Sequence, residues 1–237
     1  MRKIRGLDCW LDVLSAATRQ DVERHLKSQC LQDGESVYSI GDPGRSCYFI
    51  QRGRVRILDY SSSGRALQMM NLRTGASFGE TSLIDGLPRS DNAYSVGETE
   101  LCVLDRGAFE RLSARHREIA DGLNLHLSYR LRLASSAVKD ASVLTLRDRL
   151  PRLLALLAYS HGRREPPDTI RIEGVSHQDL ADMLGSTRQG VSRELKALER
   201  AHLVELRYRE ILLPDPEALT ERFASLIGEE PLIPDTS

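Results

Sequence analysis

The sequence predicts an α+β chain: an N-terminal β jelly-roll, one long helix, and a C-terminal winged helix-turn-helix. Three patterns point to this. Short apolar runs broken by glycine-containing turns fill the stretch from Glu35 to Leu104. Apolar residues three or four apart form a stripe from Ile119 to Val138. Two capped helical segments followed by a hairpin pattern lie between Ser176 and Leu213.

The elements follow in chain order. From Leu7 to Leu31 the pattern is helical, with Leu11, Leu14, Val22 and Leu26 among charged residues. The period then shortens. Val37 to Ile40 ends at the turn Gly41-Asp42-Pro43-Gly44, Cys47 to Ile50 ends at Gln51-Arg52-Gly53, and Val55 to Leu58 ends at Ser61-Ser62-Ser63-Gly64. Many short strands with turn signals between them favour a jelly-roll over other β architectures. Helical spacing returns with Ile119, Leu123, Leu127, Leu131, Ala134 and Val138. Such a stripe either packs on its own barrel or pairs with its twin; its length and its place between two differently patterned halves favour self-pairing. Ala141 to Thr145 reads as a hinge. Thr145 or Asp148 caps the next helix, which carries Pro151 and Leu153, Leu154, Leu156 and Leu157. His161 to Pro167 reads as a polar loop. The expected boundaries are 1–114 for an effector-type β domain, 115–141 for a dimerisation helix, and 142–145 for the hinge. The winged unit then takes 146–228, and 229–237 is a loose tail.

In the winged unit, Ser176 with Asp179 three residues on is a capping box. Leu180, Met183 and Leu184 supply the inner face, and Gly185 ends the helix. Thr187 caps a second helix, with Val191, Leu195 and Leu198 on one face and Gln189, Arg193 and Lys196 opposite, flanked by Arg188 and Ser192. A brace helix and a reading helix with hydrogen-bonding side chains in its first turns is what major-groove recognition needs. Arginine suits guanine, and glutamine suits adenine. Ser176, Gln178 and Thr187 lie near helix N-termini and are expected phosphate contacts. The run from Leu203 to Leu213 reads as the wing.

Composition restricts the alternatives. The formal net charge is −1, so any nucleic-acid footprint is local rather than global. The four cysteines (Cys9, Cys30, Cys47 and Cys102) form no paired motif, which suits a reducing cytoplasm. No apolar run approaches a membrane span, and none follows the N-terminal basic residues as a secretory signal would. No Ser-His-Asp order, metal-spaced cluster or P-loop is present, so neither catalysis nor a metal is expected.

The stretch from Phe78 to Ser90 has a different chemistry. Gly79 allows close backbone approach, Glu80 can accept from a sugar hydroxyl, Arg89 offers a fork of donors to phosphate, and Ser90 adds a hydroxyl. An acid, an arginine and a serine around a glycine turn fit a sugar-phosphate ligand.

The chain resembles the cyclic-AMP receptor protein and anaerobic-regulator (Crp/Fnr) superfamily of bacterial transcription factors, from about Leu7 to Leu219. The resemblance rests on the Gly41-Asp42 turn, Gly53 after Phe49-Ile50, Phe78-Gly79-Glu80 through Arg89-Ser90, and Gly185 through Arg193. It implies a cyclic-nucleotide-binding jelly-roll, a dimerisation helix and a DNA-binding winged helix. It implies further that Gly79 and Glu80 meet ribose, and that Arg89 and Ser90 meet the cyclic phosphate. The family's adenine-contacting Thr-Ser pair falls on Ala134-Ser135, so only the serine is kept. Asp91-Asn92 stand where small or apolar residues are usual. Arg188 and Arg193 match the receptor's reading helix, whereas Gln189 replaces a glutamate and Ser192 is similar to the anaerobic branch. A related but different half-site is therefore expected. Cys9 stands alone, which argues against iron-sulfur sensing.

The expectation is thus a homodimeric regulator on palindromic double-stranded DNA, working with RNA polymerase and controlled by a cyclic nucleotide, cyclic AMP first. The nucleotide would act near Ala134 to Ser136 and shift the hinge. Cyclic GMP, cyclic di-GMP, or no nucleotide at all, with Arg89 and Glu80 in a structural ion pair, stay open. A regulatory cyclic-nucleotide module of an enzyme is the competing class.

Overall fold

A computed structural model describes residues 8–60, 66–166, 168–216 and 218–219. The expected tail at 229–237 and the expected domain end at 228 lie outside the described residues. The chain divides into two compact units that part between Leu131 and Arg132.

The first unit opens with a single 3-10 turn, Trp10–Val13, and helix α1, Ala16–Glu23. Eight strands follow: β1 Lys27–Leu31, β2 Ser36–Tyr38, β3 Ser46–Arg52, β4 Arg54–Tyr60, β5 Ala66–Arg73, β6 Ser77–Phe78, β7 Asn92–Ser95 and β8 Thr99–Asp105. Helix α2, Glu80–Asp85, sits between β6 and β7, and α3 spans Arg106–Arg115. The strands form two four-stranded antiparallel sheets, ordered β1-β8-β3-β6 and β2-β7-β4-β5. This is the jelly-roll expected from the turn-punctuated sequence. One apolar cluster, including Leu31, Ile50, Val55, Ile57, Phe78 and Leu101, draws on both sheets. A second joins Trp10, Phe49 and Leu104 to Leu112, Ile119 and Leu123 of the helices.

One expectation fails here. The helical reading from Leu7 to Leu31 stops at α1, and Lys27–Leu31 is a strand. Its residues pair in register with β8, from Lys27 opposite Val103 to Leu31 opposite Thr99. A five-residue ladder outweighs a weak local helical period.

Helix α4 runs Arg117–Val143. Its apolar stripe has two fates. Ile119 and Leu123 are buried against the first unit, while Leu131 and Val138 are 68% and 66% exposed. Ser142 and Val143, read from sequence as part of the hinge, are helical, and Leu144 and Thr145 separate α4 from the next helix.

The second unit contains α5 Leu146–His161, β9 Arg163–Glu165, β10 Thr169–Glu173, α6 His177–Met183, α7 Arg188–Arg200, β11 Glu205–Arg207 and β12 Glu210–Leu213. The strands form one sheet in the order β11-β12-β10-β9. Thr145 occupies the cap position of α5, but its hydroxyl donates to the Asp148 carboxylate (2.6 Å) rather than accepting from the backbone. Pro151 lies inside α5. The polar loop expected at 161–167 is largely replaced: His161 ends α5 and Arg163–Glu165 is a strand. Charge pairing supports that strand where apolar alternation is absent, for Arg171 on β10 bonds Glu165 at 2.7 Å. The core of this unit includes Leu150, Leu154, Ile172, Leu180, Val191 and Leu195.

Candidate nucleic-acid interface and ligand cradle

The helix-turn-helix is held by its own termini. Ser176 accepts from the Asp179 amide (3.1 Å), and the Asp179 carboxylate accepts from the Ser176 amide (2.8 Å) and hydroxyl (2.7 Å). The expected capping box is therefore present, and both polar hydrogens of Ser176 are spent inside it. At the other end of α6, Gly185 takes a positive φ of 57°. The Gly185 amide donates to Asp182 (3.4 Å) and the Ser186 amide to Ala181 (2.8 Å), which closes a Schellman turn. The Arg149 guanidinium donates to the Leu184 carbonyl at 3.1 Å, placing a cation at the negative end of α6. Thr187 then accepts from the Gly190 amide at 3.1 Å and starts α7. Gly190 is closely approached by its neighbours: a Cβ there would lie 3.1 Å from Leu146 and from the Thr187 hydroxyl.

Helix α7 buries Val191, Leu195 and Leu198. Its other side presents Arg188, Gln189, Ser192, Arg193, Lys196 and Arg200, which together line one open cleft. All the α7 residues expected from sequence to meet DNA lie on this face. Arg200 was missed, although it lies four residues past Lys196 and seven past Arg193, a spacing that keeps it on the same side. Gln178 is exposed on α6 and donates to Asp182 at 2.8 Å. Desolvation by burial pushes the His177 imidazole pKa below its ordinary value, and the charges of Arg188 and Lys196 act in the same direction. Beyond α7, β11 and β12 form the wing, with Tyr208 at its tip 90% exposed.

In the jelly-roll, Gly79 has a φ of 79° and caps α2. A Cβ there would lie 2.9 Å from the Arg89 guanidinium and 3.2 Å from the Tyr48 ring. Arg89 is 4% exposed. Its guanidinium donates to the carbonyls of Gly79 (2.6 Å) and Ser46 (2.5 Å). It also stacks 4.3 Å from the centre of the Tyr38 ring. The Arg89 backbone is pinned to the Gly41-Asp42 turn in both directions, at 2.8 Å each way.

Glu80 is 1% exposed. One carboxylate oxygen, Oε1, accepts from Arg130 of α4 at 3.0 Å, and His126 lies 3.7 Å from the same oxygen. Arg130 also donates to the Ser77 carbonyl at 2.6 Å. Burial by itself would raise the Glu80 pKa, but His126 and Arg130 outweigh it and hold the carboxyl below its ordinary value. Nearby, burial raises the Asp8 pKa, against the opposing charges of Arg130 and His126. The direct ion pair between Arg89 and Glu80 considered from sequence is not formed: Arg89 takes carbonyls, and Glu80 takes the helix.

Two buried atoms of this cradle lack a hydrogen-bond partner, Oε2 of Glu80 and Nε of Arg89. An acceptor and a donor left open in this way suit a ligand that brings a hydroxyl and an anionic oxygen. Ser90 is exposed, and its hydroxyl donates to the Asp91 carboxylate at 3.0 Å. Ser135 is exposed on the part of α4 that belongs to the second unit. No cluster of three or more metal-ligating side chains occurs among the described residues. No helix among them is long and apolar enough to cross a membrane.

Together, the jelly-roll with its acid-arginine cradle and the winged helix with its cationic reading face define a DNA-binding transcription regulator that carries an effector-type domain. Comparison with known proteins agrees. Residues 28–116 match the cyclic nucleotide-binding domain, and residues 148–222 match the Crp-like helix-turn-helix domain. The cyclic AMP receptor protein of Thermus thermophilus is 34% identical over 183 residues, 77% of this chain and 81% of that protein. A CRP-like cAMP-activated global transcriptional regulator of Mycobacterium tuberculosis is 26% identical over 189 residues, 80% of this chain and 84% of its own. In fold, the solved structure of the c-di-GMP-responsive global regulator CLP of Xanthomonas campestris superposes with a TM-score of 0.72 at 24% identity, covering 84% of this chain and 99% of that one. The chain belongs to the Crp/Fnr family of transcription regulators. Its relatives regulate transcription rather than catalyse reactions.

Proposed function

We propose that this chain works in the cytoplasm as a homodimer on palindromic double-stranded DNA, with one α7 entering the major groove of each half-site. The single observation that carries the reading is the separation of faces on α7: Val191, Leu195 and Leu198 inward, and a row of arginine, glutamine and lysine outward. Arg188, Gln189, Ser192 and Arg193 are assigned to base edges, and Thr187, Gln178 and Lys196 to phosphates. Ser176 contributes as the cap that fixes α6, its hydrogens being committed to Asp179. The exposed Leu131 and Val138 are seven residues apart, the spacing of a self-pairing seam, and support α4 as the dimerisation helix. The units we assign are an effector domain at 1–114, a dimerisation helix that runs to Val143, a hinge narrowed to Leu144 and Thr145, and a winged unit from 146 onward. RNA polymerase is the assigned partner at promoters.

The jelly-roll is assigned a cyclic nucleotide, cyclic AMP first, with cyclic GMP and cyclic di-GMP as the alternatives. The orphaned Glu80 Oε2 and Arg89 Nε support the fit. Glu80 and Gly79 would meet the sugar, Arg89 and Ser90 the phosphate, and Ser135 the base. The nucleotide supplies no chemistry beyond binding: it acts by its different affinity for two arrangements of the protein.

The test is a binding selection on random DNA, followed by anisotropy titrations with and without cyclic AMP, cyclic GMP and cyclic di-GMP. We expect a palindrome with half-sites about 34 Å apart, differing from the receptor consensus at the position that Gln189 reads. Arg188→Ala should cost about 1–3 kcal/mol on that site and relax its sequence preference. Enrichment of no sequence would overturn the DNA reading. Equal DNA affinity with and without each nucleotide would overturn the effector reading.

A further inference from the structure

We propose that Asp91 is a built-in competitor of the ligand's anionic group, holding the mouth of the cradle closed to phosphate until it is displaced. The proposal deepens the nucleotide reading of this site and rests on it.

Ser90 is the hydroxyl assigned to phosphate, yet it donates to Oδ2 of Asp91 at 3.0 Å. The other carboxylate oxygen, Oδ1, accepts from the Tyr38 hydroxyl at 3.1 Å. Tyr38 is the same ring on which Arg89 stacks at 4.3 Å. Thus a carboxylate of this chain is seated by two hydroxyls at the edge of the cradle, next to the arginine meant for an anion. The seat is rigid. Asn92, 6% exposed, accepts from the Ile40 amide at 3.1 Å and donates to the Leu58 carbonyl at 3.4 Å, which fixes the strand start just after Asp91. Arg89, just before Ser90, is fixed through both its backbone and its guanidinium.

The chemistry then follows from charge and hydrogen bonding. A phosphate reaching for Ser90 meets a hydroxyl whose hydrogen is committed, beside a like charge. To bind, it must take that hydrogen and tolerate or move the carboxylate. A neutral ligand that avoids the phosphate position meets no such obstacle. Asp91 therefore weakens every anionic ligand of the cradle and leaves phosphate-free analogues alone. Two like charges several ångströms apart near a protein surface correspond to a factor of about ten to a hundred in affinity.

The experiment is calorimetry on the full-length protein and its Asp91→Asn and Asp91→Ala variants, with cyclic AMP, cyclic GMP, cyclic di-GMP and adenosine as probes. Asp91→Asn keeps the shape and loses the charge; Asp91→Ala also removes the acceptor that holds Ser90. The fold of each is checked through the emission of Trp10, the chain's one tryptophan. Both variants should bind at least one of the cyclic nucleotides about tenfold or more tightly than the parent, with adenosine unchanged. Binding by the variants alone also supports the proposal, and assigns the native chain no nucleotide effector. Equal binding by parent and variants overturns the role of Asp91 and leaves the nucleotide reading standing. An equal gain for adenosine overturns it as well, since charge would not be the cause. No binding by any of the three proteins overturns both readings.

Discussion

Replacing Arg130 by methionine isolates the energetics of the Glu80 cluster. The substitution keeps much of the aliphatic stem and removes the guanidinium, which donates to Glu80 at 3.0 Å and to the Ser77 carbonyl at 2.6 Å. Glu80 is then a carboxyl with 1% exposure that has lost its guanidinium and keeps His126 3.7 Å away. A carboxylate so buried can escape by taking a proton, and this caps that part of the loss. Protonating a carboxyl of ordinary pKa about 4.3 at pH 7 costs about 1.4 kcal/mol per unit, or about 4 kcal/mol. The lost bond to Ser77 adds about 1 kcal/mol at any pH. Together these make about 5 kcal/mol at pH 7, the scale of other broken buried pairs, and the stabilisation that the parent's carboxylate drew from Arg130 is lost in addition.

The sign of the pH effect is fixed by the same geometry. In the parent, the Glu80 carboxyl is held below its ordinary value. Its stabilisation is present above that ordinary value and is lost as pH falls through the folded one. In Arg130→Met the carboxyl moves up instead, so the damage grows with pH, and its protonation and Ser77 parts together shrink to about 2 kcal/mol near pH 5. Urea unfolding followed by Trp10 fluorescence is the assay, because Trp10 lies fully buried in the same unit, 5.5 Å from Phe49. A loss below about 1 kcal/mol at pH 7, or one that does not change between about pH 5 and 7, would refute the reasoning.

Two further predictions concern other parts of the chain. Gly44→Ala should destabilise the jelly-roll by about 2 kcal/mol on the Trp10 signal, because the new Cβ would overlap the Ser82 Cβ and lie 2.9 Å from the Ser82 carbonyl carbon. An unchanged urea midpoint would show that the contact relaxes freely. His177, held below its ordinary pKa by burial and by Arg188 and Lys196, should gain a proton when DNA phosphates neutralise those cations. A pKa raised in the complex means that DNA affinity increases as pH falls from about 7.5 to 6. The measurement is anisotropy against pH for the parent and His177→Gln, and identical slopes would dismiss the link.

What was legible in the sequence was what is decided locally. Ser176 with Asp179, Gly185 and Thr187 state their roles within three or four residues, and each is found making the bond its position requires. Glycine turns and alternating strands likewise disclosed the jelly-roll. The failures are long-range. Lys27–Leu31 carries no strong strand signal of its own and becomes one by pairing with residues more than sixty positions away. Arg163–Glu165 looked like loop because its strand is held by charge partners across the sheet rather than by apolar alternation. In the cradle, Glu80 and Arg89 were found as residue types, but their partners were not. A signal for those partners existed: His126 and Arg130 each lie seven residues beyond a core position of α4, Ile119 and Leu123, so both fall on the packed stripe where polar residues are out of place. Asp91 was noticed as an intrusion, whereas its seat between Ser90 and Tyr38 needed coordinates.

The two faces of α7 have a consequence for how such a protein can change over generations. The residues that hold the helix in the domain, Val191, Leu195 and Leu198, are not those that look outward. The caps that position it, Thr187 and the Gly185 turn, lie before its first residue. Substitutions at Gln189, Ser192 or Arg200 therefore disturb little of the fold, and a regulator of this build can acquire a new set of operators by drift on one helix face while its scaffold stays under selection for stability alone.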